Sequence, residues 1–371
     1  MPEIAPDTPL ALAAALADAA AHNHSIGLQG HNSKLAMGGP VAPADVTLQT
    51  RGLHRILQYE PADLTVSVEA GLSYRELSTT LATHRQMLPL DPPYADSATI
   101  GGLVAANSNG PRRRLYGTAR DLVIGMQFAT LEGKLVQAGG MVVKNVAGLD
   151  MGKLLIGSFG TLAAIAVVNF KVTPMPEREE SSLLSFPTIA AALEHRNQVL
   201  RGVIHPAAID VLNPPMSARF GLDGFVLAMQ FEGDDAVVAR CLREIGGDRA
   251  PQGFWPGVRE VTTHFSGGAV IRISTKLTGM AAAFDTFAVP AIGRAGNGVS
   301  YACFAQASDA AAWIAAHGAN FRHVVESGSP QFRAEAVLWQ AADSDFAMMK
   351  KIKDMFDPRH LLNRGRLFRA I

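Results

Sequence analysis

Apolar and polar side chains alternate through Leu64-Thr65-Val66-Ser67-Val68-Glu69, which predicts a strand. The helical spacing over residues 73–83 then predicts a helix with Ser73 as N-cap and Glu76 completing a capping box. Earlier, Thr8 followed by Pro9 reads as the N-cap and first residue of an alanine-rich helix over residues 10–21. Residues 122–130 and 134–137 flank Leu131-Glu132-Gly133, a turn whose glycine accepts positive φ, and together they predict a β-hairpin. A glycine-rich passage over 148–162 leads into a β-rich run ending near Val172, where Thr173-Pro174-Met175-Pro176 stops it. The charge cluster Glu177-Arg178-Glu179-Glu180 follows, making this the best domain boundary in the chain. Beyond it, strands predicted at 182–186, 225–231 and 269–274 alternate with helices at 189–200 and 234–245, and a last helix at 344–355 is closed by Phe356-Asp357-Pro358. The expectation is an α+β fold with a domain over 1–175, a smaller α+β domain over 176–340, and a tail over 341–371 packing back on the first.

Length supports that division, because 371 residues exceed the size at which one core stops growing, roughly 250–300 residues. Composition narrows the partners. Hydrophobic residues make up 48% and charged ones 18%, with 33 basic against 33 acidic side chains, so nothing electrostatic points to nucleic acid or an anionic membrane. Only Cys241 and Cys303 are present, too few for an iron–sulfur cluster or a thiolate zinc site. The N-terminus has no basic n-region, and the longest apolar run, residues 162–168, falls far short of the ~20 residues that span a bilayer. A cytoplasmic setting is expected, with any membrane association through partner proteins.

The candidate chemistry lies in two glycine-containing bends. Ser97-Ala98-Thr99-Ile100-Gly101-Gly102 opens a short apolar helix that runs on to Asn109-Gly110, and its paired glycines leave the backbone bare beside a helix start with unpaired amides. Gly27-Leu28-Gln29-Gly30-His31-Asn32-Ser33-Lys34 follows a short apolar stretch, and its successive amides suit an anion nest. Both read as sites for a phosphate-bearing cofactor. Neither fits the dinucleotide fingerprint of Rossmann dehydrogenases or the P-loop.

Taken with residues 63–77, 96–110, 116–121, 156–161, 356–367 and Lys144-Asn145-Val146-Ala147-Gly148, these bends resemble the FAD-binding domain of the p-cresol methylhydroxylase and vanillyl-alcohol oxidase superfamily. Within it, residues 29–34, 110–113 and 144–148 look most like the FAD-binding subunit of glycolate oxidase. The resemblance implies two α+β lobes with FAD between them and a second domain capping the flavin. It implies that Gly30, His31, Asn32 and Ser33 clasp the diphosphate from one side, and Thr99, Gly101 and Gly102 from the other, with Gly110 beyond. Gly160, Thr161 and Ile165 would lie near the adenine half, and Asn363 would bring the tail to the cofactor. Departures are His31, where such loops more often carry a small residue, Leu149 in place of a tyrosine, and Arg364 in place of a proline. Covalent attachment of the flavin through His31 stays open beside a hydrogen-bonding role.

Oxidation of a 2-hydroxy acid also needs a cation on the carboxylate and a base near the hydroxyl. Arg272 is the first candidate for the cation, Arg112-Arg113-Arg114 the second, and His264 the candidate base. His195, His205, His317, His323 and His360 supply no evident metal site, so none is expected. Two functions remain open. One is a catalytic subunit oxidising glycolate or a similar acid and passing electrons to an iron–sulfur subunit. The other is an FAD-holding electron-transfer or assembly subunit beside a homologous, larger flavoprotein subunit.

Overall fold

A three-stranded parallel sheet and a five-stranded antiparallel sheet form the two lobes that frame the glycine-containing bends. The computed structural model describes residues 2–141, 150–340, 343–367 and 371; the Lys144 to Gly148 motif and Leu149 lie outside them. By packing, the chain divides into two units. One comprises Met1–Asn109, Gly117–Met175 and Ala341–Ile371, the other Gly110–Tyr116 and Pro176–Gln340.

In the first unit, Glu3–Ile4, Val46–Gln49 and Ile26–Gln29 make the parallel sheet, with Val46–Gln49 central. The helix Pro9–Ala21 starts as its sequence dictates: Thr8 Oγ1 accepts from the Ala11 amide at 3.1 Å. Its Leu12 and Leu16, spaced by four, are fully buried in one core with Leu48 of the parallel sheet and Ala164 and Ala166 of the antiparallel one. That antiparallel sheet has the order Ile56–Glu60, Thr65–Glu69, Ala164–Lys171, Val123–Ala129, Leu135–Gly139. The last three strands include the expected hairpin. Leu64 stands outside the predicted strand because it takes a left-handed conformation, φ 55°, as the cap of a short 3-10 turn. Helices Tyr74–Ala82 and Ile100–Ala105 bury Leu77, Leu81, Leu103 and Val104 in a second core with the sheet's Val66, Val68 and Phe170. Ser73 accepts from the Glu76 amide at 3.1 Å, the backbone half of the expected box.

The C-terminal helix Asp343–Phe356 is tied into this unit by a group that the sequence pattern did not single out. Lys353 Nζ, 1% exposed, pairs with Asp357 at 2.6 Å and donates to the carbonyls of Thr161 (2.7 Å) and Leu362 (3.3 Å). Asp357 in turn accepts from the Leu361 and Leu362 amides. The tail then bridges in parallel to Ile26, extending the parallel sheet through Leu362.

The second unit is a seven-stranded antiparallel sheet ordered Arg178–Phe186, Phe225–Gly233, Ala208–Leu212, Ala291–Arg294, Val299–Phe304, Ala269–Ser274, Arg322–Gly328. Helices Ile189–Arg201, Asp235–Ile245 and Ala307–His317 cover one face with Leu193, Leu242 and Trp313. The other face is apolar where Phe254–Glu260 packs on Val226, Ala228 and Ile292, and charged elsewhere. The segment Gly110–Tyr116 lies against that charged part: Arg114 donates to the Pro206 carbonyl at 2.9 Å, and Tyr116 Oη to Glu232 at 2.6 Å.

Candidate cofactor cleft and charged sheet face

The two bends meet in the first unit. A Cβ built on Gly30 would sit 2.5 Å from Thr99 Oγ1, so only glycine allows this approach. Between the lobes lies a solvent-open cleft with about 910 Å³ of empty space counted to its mouth. Gly30, His31, Asn32, Ser33, Thr99, Gly101, Gly102, Gly160, Ile165 and Asn363 all line it.

The donors are divided differently from the expectation. At the helix start, the Ile100 amide donates to Leu72 O (2.9 Å), the Gly101 amide to Ala70 O (2.7 Å) and the Gly102 amide to Thr99 Oγ1 (3.3 Å). That first turn is engaged in holding the helix to the strand, so the anticipated unpaired amides are not there. In the other bend, among the described residues, the amides of Gly30, His31, Asn32 and Ser33 donate to no protein acceptor. Asn32 takes φ 59° and its side chain donates to Gln29 Oε1 at 2.9 Å, which bends the run into a concave nest. Two cations stand by the same wall. Lys34, 8% exposed, lies over the Tyr94 ring at 5.1 Å, and Arg366, 8% exposed, lies over the Phe159 ring at 5.6 Å. Arg366 donates to the Gly39 and Lys34 carbonyls and Lys34 to the Pro93 carbonyl, so the cations brace the loop, and the four successive amides fit a diphosphate.

Asn363 lines the cleft as a staple. Its Oδ1 accepts from the Leu28 amide at 2.7 Å and its Nδ2 donates to the Phe159 carbonyl at 2.8 Å, fixing the tail to both walls. Leu35 and Val41 line the cleft too and are 44% and 42% exposed, apolar surface that sequence reasoning missed.

Two expected cofactor residues lie elsewhere. Gly110 groups with the second unit and is not among the lining residues. Thr161 is fully buried, its hydroxyl donating to Ser158 O at 2.7 Å and its carbonyl accepting from Lys353, so it faces structure rather than the cleft. One histidine pair that sequence reasoning missed, His22-Asn23-His24, has its rings stacked 5.6 Å apart on an exposed turn. Among the described residues no group of three His, Cys, Asp or Glu side chains is placed to hold a metal ion.

In the second unit the catalytic candidates separate. His264 is exposed on the 3-10 turn Val261–Phe265. Arg272 is half-buried on Ala269–Ser274, its Nε 3.3 Å from Glu326 Oε2, and that carboxylate raises its pKa further. Arg272 is in cross-strand register with Tyr301, whose phenol is pushed above its usual range by burial and then by Glu326. The guanidinium of Arg294 lies 5.7 Å from the Tyr301 ring centroid and pairs with Asp210. Arg113, from the Gly110–Tyr116 segment, acts on the same phenol. Arg112 instead pairs with Glu179 at 2.7 Å and Glu232 at 3.2 Å. Tyr301, Arg294 and Glu326 carried no local sequence signal, since they meet Arg272 through strand register alone.

The comparisons agree with this geometry. Residues 3–139 match the FAD binding domain family, and residues 333–367 match the C-terminal domain of FAD linked oxidases. Glycolate oxidase subunit GlcE of Escherichia coli K12 is 33% identical over 250 residues, 67% of each chain. Glycolate oxidase subunit GlcD of Bacillus subtilis 168 is 29% identical over 52% of this chain and 41% of its own length. The mitochondrial cytochrome D-lactate dehydrogenase of Arabidopsis thaliana is 30% identical over 47% of this chain and 31% of its own. In fold, the chain is similar to alkyldihydroxyacetonephosphate synthase, with a TM-score of 0.72 at 17% identity over 97% of this chain and 75% of that one. The cofactor is FAD, and the chain belongs to the FAD-linked oxidases of the p-cresol methylhydroxylase and vanillyl-alcohol oxidase superfamily, as a relative of glycolate oxidase subunit GlcE.

Proposed function

We propose that this chain is the FAD-binding subunit of a complex that oxidises glycolate, or a similar short 2-hydroxy acid, to the 2-oxo acid. The observation that carries the reading is the run of unengaged amides at Gly30–Ser33 on the wall of the interlobe cleft. FAD, when bound, supplies the hydride acceptor. The amides of Gly30, His31, Asn32 and Ser33 hold the diphosphate, while Thr99, Gly101 and Gly102 form the wall that keeps it there. Gly160 and Ile165 bound the adenine half, and Asn363 keeps the walls at fixed separation. Arg272 fixes the substrate carboxylate through its planar fork, and His264 is the candidate for the hydroxyl proton. Two cysteines, Cys303 buried and Cys241 half-buried, cannot hold a four-thiolate cluster. Electrons therefore leave through partners, for which a larger flavoprotein subunit and an iron–sulfur subunit are the expectation.

A second reading is favoured by the exposure of His264 and the absence of any bond between it and Arg272 among the described residues. In that reading the chain holds FAD for electron transfer or assembly, and a homologous subunit performs the oxidation. The test is anaerobic mixing of glycolate with the assembled complex, following loss of the oxidised flavin absorption. Turnover at the parental rate with Arg272→Ala and His264→Ala combined assigns the chemistry to the other subunit; loss of turnover with flavin content retained assigns it here.

A further inference from the structure

The charged face of the second unit's sheet holds a cluster of polar groups with bonds still to make. Among the described residues, the Arg113 side chain makes no hydrogen bond or ion pair, the terminal nitrogens of Arg272 donate to nothing, and the Tyr301 hydroxyl has no partner. These groups share one face, because Arg272 and Tyr301 are cross-strand partners and Arg113 acts on the same phenol, an arrangement of donors suited to an anionic ligand. The charges also fail to balance. Arg294 is neutralised by Asp210 and Arg272 by Glu326, whereas Arg113 has no matching carboxylate. The site is one positive charge in excess.

The geometry points to a carboxylate site built from Arg113, Arg272 and Tyr301 that takes a short 2-hydroxy monocarboxylate and turns away dicarboxylates. One carboxylate balances Arg113 and accepts from the fork of Arg272. The Tyr301 hydroxyl, kept protonated by its surroundings, donates to the substrate's 2-oxygen or carboxylate. Glu326, held 3.3 Å from Arg272, is the discriminating residue: a second carboxylate reaching past the fork meets a like charge. This favours short monoacids of the glycolate and D-lactate type, named by the relatives, over a 2-hydroxy diacid. The inference rests on the oxidase reading above for the identity of the acid, while the site itself is built from unit-internal contacts.

Isothermal titration calorimetry of the purified full chain with glycolate, D-lactate and 2-hydroxyglutarate tests this without turnover. Either monoacid binds about tenfold or more tighter than the diacid, and Arg113→Gln and Arg272→Gln each weaken glycolate by about tenfold or more. Glu326→Gln strengthens the diacid and narrows the ratio. Tyr301→Phe, which keeps the ring's packing, weakens glycolate several-fold with flavin content unchanged. No monoacid binding by the parent chain, equal binding of diacid and monoacid, or parental glycolate affinity in both Arg113→Gln and Tyr301→Phe overturns the assignment. A flavin-loaded chain whose acid binding ignores these residues leaves the flavoprotein reading standing and removes the site. Residue-dependent binding by a chain that takes up no flavin does the reverse.

Discussion

Replacing Gly30 by alanine separates the two bends by a known amount of steric conflict. The added Cβ lies 2.5 Å from Thr99 Oγ1, 3.1 Å from its Cγ2 and 3.3 Å from its Cβ. Gly30 does not have positive φ, so alanine fits the backbone and the cost is contact alone. Thr99 cannot swing aside freely, because its Oγ1 caps the helix through the Gly102 amide. An over-packed contact of this kind costs about 1–3 kcal/mol, and relieving it by opening the bends moves the Gly30–Ser33 amides off the diphosphate. FAD affinity is therefore expected to fall by about 5- to 150-fold. The assay is titration of the apo chain with FAD, read by quenching of flavin fluorescence. Adding Thr99→Ala removes Oγ1 and Cγ2 at the expense of the cap, worth about 1 kcal/mol. The double variant then binds FAD more tightly than Gly30→Ala alone, a non-additivity that only contact between the two sites produces. Parental affinity in Gly30→Ala, or strictly additive effects of the two substitutions, refutes the reasoning.

Asp357→Asn leaves Lys353 charged and unpaired in a buried setting, and the first unit loses about 3–5 kcal/mol, seen as a lowered melting temperature. In alkali the second unit weakens through Cys303, whose thiol is pushed up to about 12 by burial. Because the folded value is raised, its contribution is fully present below the ordinary thiol range and is lost as pH rises from about 9 toward 12, amounting to about 2 kcal/mol by pH 10.5. Cys303→Ala flattens that part of the stability profile, measured by urea unfolding at successive pH values. If the Gly30–Ser33 amides hold the flavin without a bond to His31, as proposed above, acid precipitation of the purified protein releases all flavin to the supernatant; a yellow pellet that loses its colour in His31→Ala contradicts this.

Local signals were legible where the physics is local. Thr8 and Ser73 cap helices as their sequences announce, and Ala269–Ser274 occupies the predicted strand. Legibility failed where partners are distant. Gly110–Tyr116 reads as a continuation of the glycine bend, yet its Arg112, Arg114 and Tyr116 are held by Glu179, Pro206 and Glu232 of the second unit. The bare amides assigned to the helix after Thr99 are taken up by Leu72 and Ala70, carbonyls some thirty residues upstream, while the helix-free bend at Gly30 keeps its own. Arg272 was picked out for its chemistry, but Tyr301, Glu326 and Arg294 around it follow from register between strands, which no window along the chain reports.

The most direct measurement is a crystal structure of the chain loaded with FAD. Diphosphate oxygens are expected within about 3.2 Å of main-chain nitrogens in the run Gly30–Ser33, with Thr99 closing the opposite wall. A diphosphate bound away from that run, or those amides turned to protein acceptors with FAD in place, contradicts it.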